Sequence, residues 1–278
     1  MATNSNATNN ALNLLTQHSK LRNVNLSSNF YINDSLFFQL CEFIQAVVMF
    51  DYPFLTRAGN ATAIYQRPIL NSFYVRSFTE AIETNKVTPY FVNSLGSLKG
   101  LTLLDLSFSC ISDYLLCSLA LDTLPLTKLV LHGCFDYTYY GIYRLLSKSP
   151  FLQHLYLQDA MFLNDQHINE LCAFLGDLVS INVNGCDKLT NAAFFALLRN
   201  CPLLSEIHME STQLGIGSRS SLDLVVLVFP PVQRTGEQRF FVASTNYYSE
   251  RTNKIQTYNA VVRQIGLCCH HKIKDVIV

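Results

Sequence analysis

Apolar residues recur along this chain in the pattern Leu-x-x-Leu-x-Leu, at intervals close to 26 residues. The copies span residues 21–26, 44–49, 70–75, 101–106, 126–131, 152–157, 178–183 and 204–209. Their fourth residues are Val24, Val47, Phe73, Leu104, Leu129, Leu155, Ile181 and Ile207, separated by 23, 26, 31, 25, 26, 26 and 26 positions. Successive side chains of a strand point to opposite faces, so the fourth and sixth residues of each copy turn inward and the fifth turns out. One short strand cannot bury such a face alone. Copies stacked on a shared parallel sheet can, which is why repeats occur in series.

A second signal follows the strands. Residues 26–34 (LSSNFYIND), 106–113 (LSFSCISD), 157–165 (LQDAMFLND) and 183–191 (VNGCDKLTN) each place Ser, Thr or Asn before a helix-like run. Ser112, Asn164 and Thr190 stand where an N-cap oxygen accepts an orphan amide hydrogen bond, ahead of helices over 114–120, 166–174 and 191–198. Each repeat therefore reads strand, turn, helix. The expected fold is α/β, a leucine-rich-repeat solenoid: a right-handed horseshoe arc with the parallel sheet on its concave face and helices on its convex face. Residues 1–20 read as a lead-in, 21–215 as about eight repeats, and 216–278 as a non-repeat tail with short β-prone runs. Residues 76–86 are polar and suit a surface loop between the third and fourth strands.

Composition agrees with a continuous interior: 49% of residues are hydrophobic and only 14% charged. The formal net charge is zero and there is no basic run, so neither nucleic acid nor an anionic membrane is an expected partner. The apolar run at 222–232 carries Asp223, ends at Pro230 and Pro231, and is about half a membrane span. The first twenty residues have no cationic start and a short apolar stretch, unlike a signal peptide. Cytoplasmic or nuclear residence is expected, and the glycosylation triplets at Asn6, Asn25, Asn33 and Asn60 read as chance matches.

The nine cysteines point to free thiols in a reducing compartment. Cys134 and Cys186 sit three residues past the last strand position, and Cys110 four, where a thiol can satisfy backbone groups of a neighbouring turn. His132, His154 and His208 share one face without supplying the four ligands of a closed site. In the run Cys268, Cys269, His270, His271 consecutive side chains diverge, so no metal is expected there. With no phosphate loop, nucleophile elbow or metalloprotease helix, no enzyme activity and no cofactor are expected.

The candidate site is the outward face of the sheet, formed by the third, fifth and seventh residues of each copy. It comprises Ser72, Tyr74 and Arg76; Leu103, Asp105 and Ser107; Lys128, Val130 and His132; His154, Tyr156 and Gln158; Ser180, Asn182 and Asn184; and Glu206, His208 and Glu210. Mixed aromatics and charges at such positions suit a protein partner.

Residues 53–68 (PFLTRAGNATAIYQRP), 101–113 (LTLLDLSFSCISD) and 180–207 (SINVNGCDKLTNAAFFALLRNCPLLSEI) resemble the cysteine-containing repeats of plant F-box/leucine-rich-repeat proteins. The resemblance covers roughly residues 11–215. It implies substrate recognition in an SCF-type ubiquitin ligase, with a target protein on the repeat arc and an F-box docking on the ligase's adaptor and cullin. An F-box opens with a Leu-Pro pair in a helical segment of about forty residues. Here some twenty residues precede Leu21 and contain no Leu-Pro, so adaptor and cullin are expected partners only where a longer form supplies the F-box. The alternatives are a stand-alone intracellular repeat scaffold and, less favoured, a secreted receptor ectodomain.

Overall fold

The computed structural model describes residues 21–28, 32–50, 57–66, 69–76, 89–210, 212, 224–229 and 239–244. The chain divides into two compact units, residues 1–151 and 152–278. Both alternate strand and helix, and both are α/β leucine-rich-repeat stacks.

In the first unit the described strands are β1 (Asn23–Asn25), β2 (Ala46–Phe50), β3 (Ser72–Arg76), β4 (Leu103–Asp105) and β5 (Lys128–Val130). Each pairs in parallel with the next, and the register is the one the repeat spacing predicts. Val24 lies opposite Val47, Val47 opposite Phe73, Phe73 opposite Leu104 and Leu104 opposite Leu129. The connecting helices are α1 (Asp34–Leu40), α2 (Arg57–Gln66), α3 (Pro89–Gly96), α4 (Asp113–Leu119) and α5 (Tyr139–Leu146). Neighbouring helices pack side by side. Pro89 opens α3, where its missing N–H costs nothing because no carbonyl of the helix faces that position.

The second unit contains β6 (His154–Tyr156), α6 (Asp165–Leu171), a 3-10 turn (Cys172–Phe174), β7 (Ser180–Asn182), α7 (Asn191–Asn200) and β8 (Glu206–His208). Leu155, Ile181 and Ile207 lie in register. The helix expected over 166–174 is α-helical only to Leu171, and its last turn tightens to 3-10 geometry. Two strands follow within the non-repeat tail, β9 (Leu224–Phe229) and β10 (Arg239–Ser244). They run antiparallel, β9 against β8 with Val226 opposite Ile207, and β10 against β9.

Packing follows the repeat positions. The first, fourth and sixth residues of the copies supply Ile44, Val47 and Met49, then Leu101, Leu104 and Leu106, then Leu178, Ile181 and Val183, all buried. The helices add Phe37, Leu115, Leu116, Ile142, Leu145, Ile168 and Phe194. At about 25 cal/mol per Å² of apolar surface, each such side chain contributes roughly 1.5–3 kcal/mol.

Hydrogen bonds repeat with the same period. At the start of successive strands one carbonyl accepts two amides: Asn71 and Ser72 on Gln45, Thr102 and Leu103 on Asn71, Ser205 and Glu206 on Val179. The hydroxyls of Thr102, Thr127 and Ser205 donate to Asn71 O, Thr102 O and Val179 O at 3.0, 3.1 and 3.1 Å, thickening that ladder. Past the strands the chain turns through a left-handed residue two positions after the last inward one: Ser28, Phe108, Gly133, Asp159 and Gly185. The sharp turn redirects the chain from the sheet to the helix layer. At Gly133 and Gly185 the left-handed backbone favours glycine, and an added Cβ would also press on the Phe108 ring and on Asp159 Oδ1.

The expected N-caps Ser112, Asn164 and Thr190 each accept from an amide of the first helical turn. Asn33 and Thr138 do the same for α1 and α5. Two of the three thiols act as expected from their place in the repeat, while Cys110 Sγ instead donates to the Asp136 carboxylate at 3.5 Å. Cys134 Sγ donates to Leu106 O at 2.9 Å and Cys186 Sγ to Leu157 O at 3.3 Å, closing the turn of the preceding repeat. Residues 1–20, residues 77–88, which include all of the loop expected at 76–86 except Arg76, and most of 213–278 lie outside the described residues.

Candidate functional site

The outward positions of the short strands form a ladder in each unit. In the first unit Tyr74 lies opposite Asp105 in register, and Leu103 opposite Lys128. Tyr74, Leu103, Asp105, Lys128 and His132 are half-buried, the condition of side chains standing up from a sheet surface. Burial, reinforced by the Asp105 charge, raises the Tyr74 phenol above its ordinary pKa, so it remains a neutral hydrogen-bonding group. The side chain of Arg76, at the end of β3, lies outside the described residues.

In the second unit the register sets His154, Ser180 and Glu206 in one row and Tyr156, Asn182 and His208 in the next. Glu206 is the centre of this group. Its Oε2 accepts from Ser180 Oγ at 2.8 Å, and its Oε1 lies 2.9 Å from His208 Nε2. Burial alone would raise the Glu206 carboxyl. The hydrogen bonds from Ser180 and His208, with the charges of His208 and His154, outweigh it and hold the carboxyl below its usual range. A fixed carboxylate between two imidazoles results. Gln158 and Glu210 are half-buried at the turns beyond β6 and β8.

Three outward positions are closed. Ser107, Val130 and Ser180 are buried, Ser107 and Ser180 to 0% and 1% exposure. Each is a short side chain among longer ones: Ser180 beneath the carboxylate of Glu206, Ser107 bonded back to Asp105 at 2.5 Å, Val130 between Lys128 and His132. These positions belong to the sheet's floor and not to its accessible face.

Other polar groups on the ladder serve the turns. Asp105 Oδ1 accepts from Ser107 N at 2.9 Å, Asn182 Oδ1 from Asn184 N at 3.0 Å, and Asn184 Oδ1 from Glu210 N at 2.8 Å. Such side chains hold the strand-to-helix bend of their own or the following repeat, as short Asx side chains do. Alternation marked them as outward but carried no sign of this second role. The pattern also passed over Phe108. Its left-handed backbone sets its ring 4.6 Å from that of His132, giving an aromatic pair beside the first unit's ladder.

Among the described residues no group of three His, Cys, Asp or Glu side chains is placed to hold a metal ion. Among them, too, no helix is long and apolar enough to cross a membrane. Cys134 and Cys186 are pushed up to about 12 by burial and are poor nucleophiles in the native state.

No protein-family model matches the sequence, and no curated protein matches it. A solved structure described as the complex of Rad7 and Elc1 in yeast is similar at a TM-score of 0.45, with 18% identity over 76% of this chain and 72% of that chain.

Proposed function

We propose that the chain is a non-catalytic protein-binding module that receives a target protein on the outward face of its repeat sheet, as the substrate-recognition part of an F-box/leucine-rich-repeat ubiquitin ligase. One observation carries the binding reading. Glu206 and His208 on β8 and His154 and Tyr156 on β6 flank β7, whose pairing with both strands locks the three backbones in register, and the carboxylate is oriented by two hydrogen bonds before any partner arrives. Side chains held in place lose little entropy on binding, which favours a specific contact over a merely solvated surface. Aromatic, imidazole and carboxylate groups at half-buried positions match the composition of protein interfaces better than that of nucleic-acid or lipid sites. The ligase role rests on the resemblance of the repeats at 101–113 and 180–207 to the F-box family.

A photoreactive amino acid placed at Tyr156, and separately at Tyr114 on α4, tests the reading in cells expressing the chain. The expected result is a discrete protein cross-linked from position 156 and not from position 114, lost when Glu206 and His154 are both replaced by Ala. Stabilisation of that protein when the chain is depleted supports the ligase role. A cross-linked protein of unchanged lifetime assigns the chain to a stand-alone scaffold. Equal cross-linking from both positions would overturn the sheet face as the site.

A further inference from the structure

The helix layer of residues 152–278 brings together two thiols from consecutive repeats. Cys172 opens the 3-10 turn after α6, and Cys201 caps the C-terminal end of α7. Their sulfurs are 4.0 Å apart, and the two residues are only 5% and 2% exposed. Cys134 and Cys186 are placed differently, each donating to a backbone carbonyl of a turn. We propose that Cys172 and Cys201 form a reversible disulfide lock between consecutive repeats, closed by peroxide and opened by thiol reductants.

Geometry is the main support. Two sulfurs at 4.0 Å are already in van der Waals contact. A bond needs about 2.05 Å, so closing it asks the two sulfurs to approach by about 2 Å, a displacement on the scale that rotation about Cα–Cβ bonds gives a thiol. The position in the fold gives the bond a purpose. The repeats of α6 and α7 are held at the sheet by the β6–β7 ladder and at the helix starts by the Asp165–Thr190 pair. A Cys172–Cys201 bond would add a third tie where the helices end.

The chemistry has a defined order. The Cys201 thiol donates to Cys172 Sγ, which lowers the pKa of Cys172 and, with burial, raises that of Cys201. Cys172 is therefore the thiolate that attacks hydrogen peroxide. The O–O bond breaks, Cys172 becomes a sulfenic acid, and the leaving hydroxide takes up the thiol proton as water. Cys201 sulfur then attacks the sulfenic sulfur, its proton leaves with the hydroxyl as a second water, and the disulfide forms. Two thiols are oxidised and one peroxide is reduced. Hydrogen peroxide is small enough to reach a buried pair through local opening of the 3-10 turn.

The test uses the full chain carrying Cys268→Ser and Cys269→Ser, which removes two thiols outside the described residues. The reduced protein is treated with hydrogen peroxide, alkylated, digested without reductant and mapped by mass spectrometry. The expected product is a peptide joining Cys172 to Cys201, reversed by dithiothreitol, with Cys117 still open to alkylation. The thermal midpoint of the oxidised chain should rise, and this shift should be absent when Cys201→Ser is added. A sulfinic acid at Cys172 without the cross-link would overturn the proposal. So would either cysteine joined to a different thiol, or a cross-link that forms only in urea.

Discussion

Asp165, the first residue of α6, holds Thr190, the N-cap of α7, through two hydrogen bonds: Thr190 N to Oδ1 at 2.8 Å and Thr190 Oγ1 to Oδ2 at 2.6 Å. In the other unit Asp113 grips Thr138 in the same way, at 2.8 and 2.6 Å and with the same separation of 25 residues. One carboxylate thus caps the helix of the following repeat, while its own charge sits at the favourable N-terminal end of its helix. The device couples neighbouring repeats at their helix starts, where the sheet ladder does not reach.

Replacement of Asp165 by Ala should cost about 1–3 kcal/mol, because Thr190 N and Ala193 N both lose an acceptor in a half-buried setting. Asp113→Ala should cost less, since its bonds to Thr138 are exposed. Urea midpoints of the two variants would test the order, and a larger loss for Asp113→Ala would contradict it.

Leu155 and Tyr156 are adjacent on β6 but face opposite sides. Leu155 is fully buried, so Leu155→Ala should cost about 2–5 kcal/mol, and Leu155→Asp more because it buries an unpaired charge. Tyr156→Ser should change stability by no more than about 1 kcal/mol while weakening partner binding. Thermal melts of the three variants measure this directly, and equal destabilisation by Leu155→Ala and Tyr156→Ser would refute the assignment of the two faces.

Gly185→Ala should destabilise by about 1–2 kcal/mol or more, since φ there is +73° and the new Cβ would press on Asp159 Oδ1. Gly100→Ala is the control, with nothing within 4 Å of the added carbon. Similar melting temperatures for both variants would argue against the left-handed turn.

Thiol reactivity should sort by burial. Cys134 and Cys186, raised to about 12, should remain unlabelled by a maleimide at pH 8 in the native protein and label fully in urea. Cys117, which is half-buried, should label first. Early labelling of Cys134 or Cys186 would place their repeats outside the stable stack.

Glu206 predicts an acid limb. Its folded pKa lies below the unfolded value near 4.5, so its contribution is fully present above that value and is lost as pH falls through the folded one. Between pH 7 and 3 the natural chain should lose more stability than Glu206→Gln. Parallel pH profiles for the two chains would show that Ser180 and His208 do not hold the carboxylate.

Much of this architecture was legible in the sequence because it depends on local periodicity. A period of two within each copy fixed which residues turn inward, and spacings near 26 set Val47 opposite Phe73 and Ile181 opposite Ile207 without any knowledge of the chain's path. The N-caps were visible for the same reason, since Ser112, Asn164 and Thr190 satisfy amides only two or three residues away. Tertiary structure decided what depends on neighbours 25 or more residues distant. Whether Ser180 is exposed depends on Glu206 above it, and whether Asn184 is free to meet a partner depends on the amide of Glu210. The approach of Cys172 to Cys201 and the antiparallel docking of β9 on β8 likewise carry no periodic mark. Alternation along a strand assigns a residue to a side of the sheet. Accessibility and chemistry on that side are set by the size and charge of side chains that only folding brings beside it.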